Sequence, residues 1–113
     1  MLGKVLFLSL FFTFLYGSNC TYILKNHIGW TIVGSKIIQG YKDRGKPKKE
    51  GFEGCDYDRV IYFTDGTAVT CNMYGYSYAY MPTAIILAKS VKYKGKNYTL
   101  YKMIVSDNEY DIR

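Results

Sequence analysis

The sequence predicts an all-β fold: five or six antiparallel strands forming a small SH3-like or OB-like barrel or curled sheet. Three observations carry this expectation. Tyr74-Gly75-Tyr76-Ser77-Tyr78-Ala79-Tyr80 alternates a ring with a small residue, and that period of two belongs to a strand and not to a helix. Asp65-Gly66 stands between Val60-Ile61-Tyr62-Phe63 and Ala68-Val69-Thr70-Cys71, the strongest short-range hairpin pattern a sequence can offer. Beyond the N-terminal leader, no apolar face recurs at helical spacing for three turns.

Residues 1–18 read as a secretory signal peptide. Lys4 supplies a positive start, Val5 to Tyr16 is a run of twelve mostly apolar residues, and Leu15-Tyr16-Gly17-Ser18 suits a peptidase cutting after Gly17 or Ser18. Spanning a bilayer takes roughly twenty apolar residues, so no transmembrane segment is expected in the mature chain. In an alternative reading Cys20 is the lipidated first residue, although Asn19 before it is not the small residue such a site prefers. Residues 19–113 then form one β-domain with one modest core. Without Lys4 it carries 14 basic and 9 acidic residues, a net charge of +5. Such a charge favours anionic polysaccharide, lipid head groups or nucleic acid, and it also keeps a soluble domain from self-association. Few prolines and 18% aromatic residues argue against disorder.

In order along the chain, Thr21 to Gly40 reads as strand: Tyr22-Ile23-Leu24, then Trp30-Thr31-Ile32-Val33, then Lys36-Ile37-Ile38, forming one or two strands or one long strand bent at a glycine. Residues 41–54 read as an exposed basic loop, with Lys42, Arg44, Lys46, Lys48 and Lys49 among Gly45, Pro47 and Gly51. With Asp65 and Gly66 as the two central turn residues, Tyr62 faces Val69 and Val60 faces Cys71. Val60, Tyr62, Val69, Cys71 and Met73 then share the core side. Carrying the alternation forward puts Gly75, Ser77 and Ala79 inside and the four tyrosines outside, unless a bulge at Gly75 flips them. After Met81-Pro82, Thr83 to Tyr93 and Tyr98 to Val105 make a second hairpin. A turn centred on Gly95-Lys96 sets Lys89 against Lys102, an unfavourable pairing of like charges.

An oxidising compartment makes at least one disulfide expected among Cys20, Cys55 and Cys71. Cys55 with Cys71 is the first choice because the two flank one hairpin. In the register above they are too far apart to bridge directly, so either the chain at Asp56-Tyr57-Asp58 curls back or one of them pairs with Cys20.

The tyrosine alternation is the one specialised feature. A row of rigid amphipathic rings can stack on sugars, bases or peptide side chains; the same rings would also serve to pack a second layer. Tyr74, Tyr76, Tyr78 and Tyr80 are therefore the candidate ligand-binding residues, with Lys92 and Lys94 beside them; Lys92, Lys94 and Lys96 also protect an edge strand on a blander reading. For catalysis the chain offers His27 and a cysteine nucleophile. Asp56, Asp58 and Asp65 include an Asp-x-Asp spacing suited to Ca²⁺ but no further cage ligands, and no glycine-rich phosphate loop opens a helix. No metal or cofactor is expected. Asn19-Cys20-Thr21 and Asn97-Tyr98-Thr99 match the glycosylation acceptor pattern.

Phe52-Glu53-Gly54-Cys55-Asp56-Tyr57-Asp58-Arg59, followed by Asp65-Gly66, Cys71 and Ala79-Tyr80-Met81-Pro82, resembles a group of small uncharacterised bacterial proteins. The resemblance spans roughly Phe52 to Ile86 and implies no activity. The expected function is that of a secreted or periplasmic, non-enzymatic binding module for an envelope glycan or a protein. A small secreted enzyme or toxin using a cysteine with His27, or an OB-like nucleic-acid binder, are the alternatives; export makes nucleic acid the less expected partner.

Overall fold

The computed structural model describes residues 19–113; the predicted signal peptide lies outside the described residues. A short helix, α1 (Asn19–Lys25), precedes seven strands: β1 (Thr31–Lys42), β2 (Lys49–Glu50), β3 (Val60–Phe63), β4 (Ala68–Thr70), β5 (Thr83–Tyr93), β6 (Lys96–Val105) and β7 (Asn108–Ile112). The strands pair antiparallel in the order β4-β3-β1-β5-β6-β7, with β2 lying on β1. This is the all-β, curled-sheet architecture that the alternations predict. The two edges of the sheet are tied together, because Thr70 and Arg113 exchange both main-chain hydrogen bonds at 2.9 Å and Cys71 bridges Ile112.

The sheet curls because β1 serves two neighbours in succession. Its first half pairs with β5 from Thr31↔Ala88 to Ile37↔Thr83, and its second half pairs with β3 from Ile38↔Phe63 to Lys42↔Val60. One extra residue sits in each half, Val33 between Ile32 and Gly34 and Gln39 between Ile38 and Gly40. Such bulges bend a strand and steepen its twist. At Gly40 the carbonyl of Lys49 comes within 2.2 Å of where a Cβ would stand, so the approach of β2 requires glycine there.

The curl encloses one core of Ile38, Tyr41, Ile61, Phe63, Ile86, Met103, Val105 and Tyr110, joined by Phe52 and the Cys55–Cys71 disulfide. Phe52 meets Tyr110 edge to face, centroids 5.6 Å apart and planes at 83°, the preferred geometry for an aromatic pair. On the convex side, Ile23, Leu24, His27 and Trp30 line an apolar cleft with Ile85, Leu87 and Ile104. On the concave side, residues 51–56 and 74–80 close over the core.

Several local expectations need correction. Tyr22-Ile23-Leu24 is part of α1 and not a strand. Ile23 and His27, four residues apart, are partly buried while Tyr22 and Leu24 are exposed, a helical spacing too short to register in the sequence. In the first hairpin the turn holds three residues: Phe63 N donates to Thr67 O at 2.9 Å, Gly66 adopts φ 87°, and Ile61 pairs with Val69. The added turn residue moves β3 by one position, so Ile61 and Phe63 enter the core in place of Val60 and Tyr62. Asp65 holds that turn by accepting from Thr67 N at 2.9 Å and from Lys36 Nζ at 2.7 Å. In the second hairpin the turn is Lys94-Gly95, with φ 49° and 77°, the left-handed pair of a type I′ turn. Lys89 accordingly faces Leu100 and not Lys102. Within residues 41–54, Tyr41 and Lys42 finish β1 and Lys49–Glu50 forms β2, leaving residues 44–48 as the exposed turn.

Candidate functional site

The tyrosine face is built on two short main-chain bridges. Cys55 N donates to Gly75 O at 2.8 Å and Gly75 N to Cys55 O at 2.9 Å; Phe52 N and Ala79 N donate to one another's carbonyls at 3.0 Å. The stretch is extended and alternating but is bridged only at these two points, so it is not the long regular strand that its period suggests. Between the bridges the ladder side carries three residues, Tyr76 to Tyr78, against two on the other, Glu53 and Gly54, and Gly54 at φ 80° takes up the mismatch. A Cβ on it would lie 2.0 Å from Gly75 O and 2.8 Å from Ser77 N. The disulfide pins the same point, since Cys55 is bonded to Cys71 with Cα atoms 5.5 Å apart. The curl that the bridge requires is present: Asp58 takes φ 67°, Asp58 N donates to Cys71 O at 3.2 Å, and Cys71 N to Arg59 O at 2.7 Å.

Alternation decides what each residue faces. Gly75 lies on the Tyr110 ring, where an added Cβ would come within 3.1 Å of Cε1. Ser77 accepts a hydrogen bond from Asn108 Nδ2 at 3.3 Å and is hydrogen-bonded to the Tyr110 hydroxyl. Burial raises the Tyr110 phenol pKa, and the Ser77 bond partly opposes that shift. The four rings point outward, with Tyr74, Tyr76, Tyr78 and Tyr80 exposed by 64%, 69%, 68% and 72%. At about 3.4 Å per extended residue they stand roughly 7 Å apart. Residues 51–56 and 72–82, which carry and back these rings, include Glu53 and Asp56 but no lysine or arginine.

Behind the ladder a charged cluster fixes the backbone. Arg59 donates to both carboxylate oxygens of Asp43, at 2.6 and 3.0 Å, and to the carbonyls of Glu53 and Gly54, each at 3.3 Å. Its guanidinium lies 4.3 Å from the centroid of the Tyr41 ring, and the Tyr41 hydroxyl donates to Glu53. The Arg59 hydrogen bond holds the Asp43 carboxyl below its usual range. Burial, reinforced by the Glu53 carboxylate, raises Tyr41 to about 12. Every polar group in this cluster is paired, so its role is to position the Glu53-Gly54 backbone against the ladder. Because the folded state keeps the Tyr41 proton, the associated stability is fully present below about pH 10, the ordinary phenol value, and is lost as pH rises through about 12. A phenolate absorbance titration should therefore end in a late step that is absent from Tyr41→Phe.

The other candidates are dispersed. Lys92 and Lys94 sit at the tip of the β5–β6 hairpin, where Lys92 pairs with Asn97. Lys92 is eight residues along β5 from Ala84, roughly 26 Å in extended chain, while Tyr80 lies near the start of that strand; the fold thus separates these lysines from that end of the ladder. Cys20 is a free, exposed thiol in α1. His27 donates from Nδ1 to Ile23 O at 2.5 Å, and its Nε2 lies 2.8 Å from Glu109 Oε2 without hydrogen-bond alignment. The ring nitrogens of His27 thus lie against Ile23 O and Glu109 Oε2. Asp65 is engaged by Lys36, Asp58 by Arg113, and Asp56 by the Tyr57 amide; among the described residues no cluster with a metal-binding arrangement occurs. Arg59 and Tyr110 escaped sequence reasoning, since each acts through partners far away in the chain. No protein-family model, curated protein or solved structure matches this chain.

Proposed function

We propose that the protein is a secreted or periplasmic, non-enzymatic binding module whose contact surface is the row Tyr74, Tyr76, Tyr78 and Tyr80, and that its ligand is an uncharged stretch of envelope glycan. One observation carries the reading: four large rings stand exposed at even spacing on a backbone pinned by a disulfide, two bridges and Arg59. Rings held in place bind at low entropic cost, and phenols offer both an apolar face for sugar C–H groups and a hydroxyl for sugar oxygens. The disulfide fits an oxidising compartment. The lack of basic residues in the two segments that carry and back the rings favours a neutral ligand over a polyanion.

Tyr76→Ala and Tyr78→Ala test this directly. Each should shift unfolding stability by no more than about 0.5 kcal/mol, as expected of exposed positions, while weakening glycan binding about tenfold. Losses of 3 kcal/mol or more would mean that the rings are packing residues and would end the proposal. Binding should also change little with salt, whereas a nucleic-acid ligand would be released steeply.

A further inference from the structure

We propose a second, separate surface: the convex face running from α1 across Trp30 to the β5–β6 ribbon docks on an anionic lipid surface. The ribbon is the starting point. β1 pairs with β5 no further than Ala88, and β7 pairs with β6 no further than Tyr101. Five residue pairs, from Lys89↔Leu100 to Tyr93↔Lys96, therefore project with no strand on either side. Isolated two-stranded ribbons are marginal in water, so one retained at this length calls for an outside contact.

Its two faces differ. The pairs run without a bulge, so alternation places Lys89, Val91, Tyr93, Lys96, Tyr98 and Leu100 on one side and Ser90, Lys92, Asn97 and Thr99 on the other. The first side continues the outer face of Ile85, Leu87 and Ile104, on which α1 and Trp30 rest. Large apolar groups stay uncovered on that face: Tyr93, Tyr98 and Leu100 on the ribbon, then Ile32 and Leu24 beside the cleft. The ribbon itself is purely basic, since Thr83 to Val105 contains five lysines and no acidic residue; the acidic groups of this face, Glu109 and Asp111, lie at its β7 end, where both pair with Lys102. Lys89 and Lys102 both lie over the Trp30 ring, at 6.0 and 5.5 Å from its centroid.

Lysine ammonium groups on apolar stems, amphipathic tyrosines and uncovered Leu and Ile are the composition that settles at a lipid head-group boundary. A nucleic acid would use the lysines but leave the aliphatic groups in water. The proposal is independent of the tyrosine ladder, which lies on the opposite side of the core.

The test uses the protein as the cell exports it, with vesicles of phosphatidylcholine mixed with phosphatidylglycerol against phosphatidylcholine alone. Trp30 is the sole tryptophan, so a blue shift of its emission reports contact at this face. The expected result is co-sedimentation and a blue shift with the mixed vesicles only. Reversing Lys89, Lys94 and Lys96 to Glu should reduce the affinity roughly a hundredfold. Tyr98→Ser with Leu100→Ser should weaken binding at unchanged charge, with the circular dichroism of each variant retained. Equal binding to neutral vesicles would overturn the proposal. So would full affinity in the Tyr98→Ser/Leu100→Ser variant, or a tighter, lysine-dependent association with duplex DNA than with the vesicles. Tyr76→Ala should leave vesicle binding unchanged, and loss there would merge the two surfaces and refute their separation.

Discussion

Gly54→Ala is expected to destabilise the protein by at least about 3 kcal/mol and to abolish the ladder's geometry. Two effects coincide at this residue. Its φ of 80° is a conformation that residues bearing a Cβ adopt at a cost of about 1–2 kcal/mol. A Cβ would also fall 2.0 Å from Gly75 O, 2.8 Å from Ser77 N and 2.9 Å from the Tyr76 Cα. All three atoms are backbone, so no side chain can rotate aside to make room. The strands must part, which breaks the paired hydrogen bonds between Cys55 and Gly75 and strains the chain beside a disulfide that cannot follow. Denaturant unfolding should show the loss, and limited proteolysis should cut between Asn72 and Pro82. Gly66→Ala is the control: its φ is 87°, but no atom lies within 4 Å of the new Cβ, so only the conformational cost applies.

Tyr110→Ala should cost about 3–5 kcal/mol, the range for truncating a large buried aromatic ring. Tyr110 is 2% exposed and packs edge to face on Phe52, and Gly75 lies directly on its ring. Its removal leaves a cavity beneath the ladder and strips Ser77 of its hydroxyl partner. Tyr110→Phe separates the two contributions. It keeps the ring and loses one hydrogen bond, for about 1 kcal/mol. Equal losses in both variants would mean that the hydroxyl, and not the packing, holds the segment down.

The outward direction of the tyrosines was legible because small residues alternate with them: a ribbon can lie against a buried ring through Gly75 and Ser77 but not through Tyr76. That inference survived an error upstream. Read as a two-residue turn, Asp65-Gly66 sets β3 one residue out, since Thr64 joins the turn to make three. The ladder's side follows instead from Cys71, which faces the core in either alignment. The second hairpin failed for a similar reason, with Lys94 accepting the left-handed conformation in place of Lys96. Like-charge opposition between Lys89 and Lys102 had already marked the assumed register as unfavourable, and the observed one removes it. Long-range ties such as Arg59 to Asp43, or Thr70 to Arg113, leave no periodic trace. For the same reason nothing local in the sequence separates Lys92 and Lys94 from the tyrosines, while strand length carries them to the hairpin tip.

The sheet is one layer thick, with α1 and the ribbon's apolar side on its convex surface and the ladder segment closing its concave one. A molecule built this way has polarity. When one surface is occupied, the other is turned toward the opposite direction, so two contacts can be made at once without competing for space. Confinement by the first contact converts the second into a search over an area in place of a volume and raises its effective concentration. Weak individual contacts then suffice for long residence, and rupture of either one is reversible while the other holds.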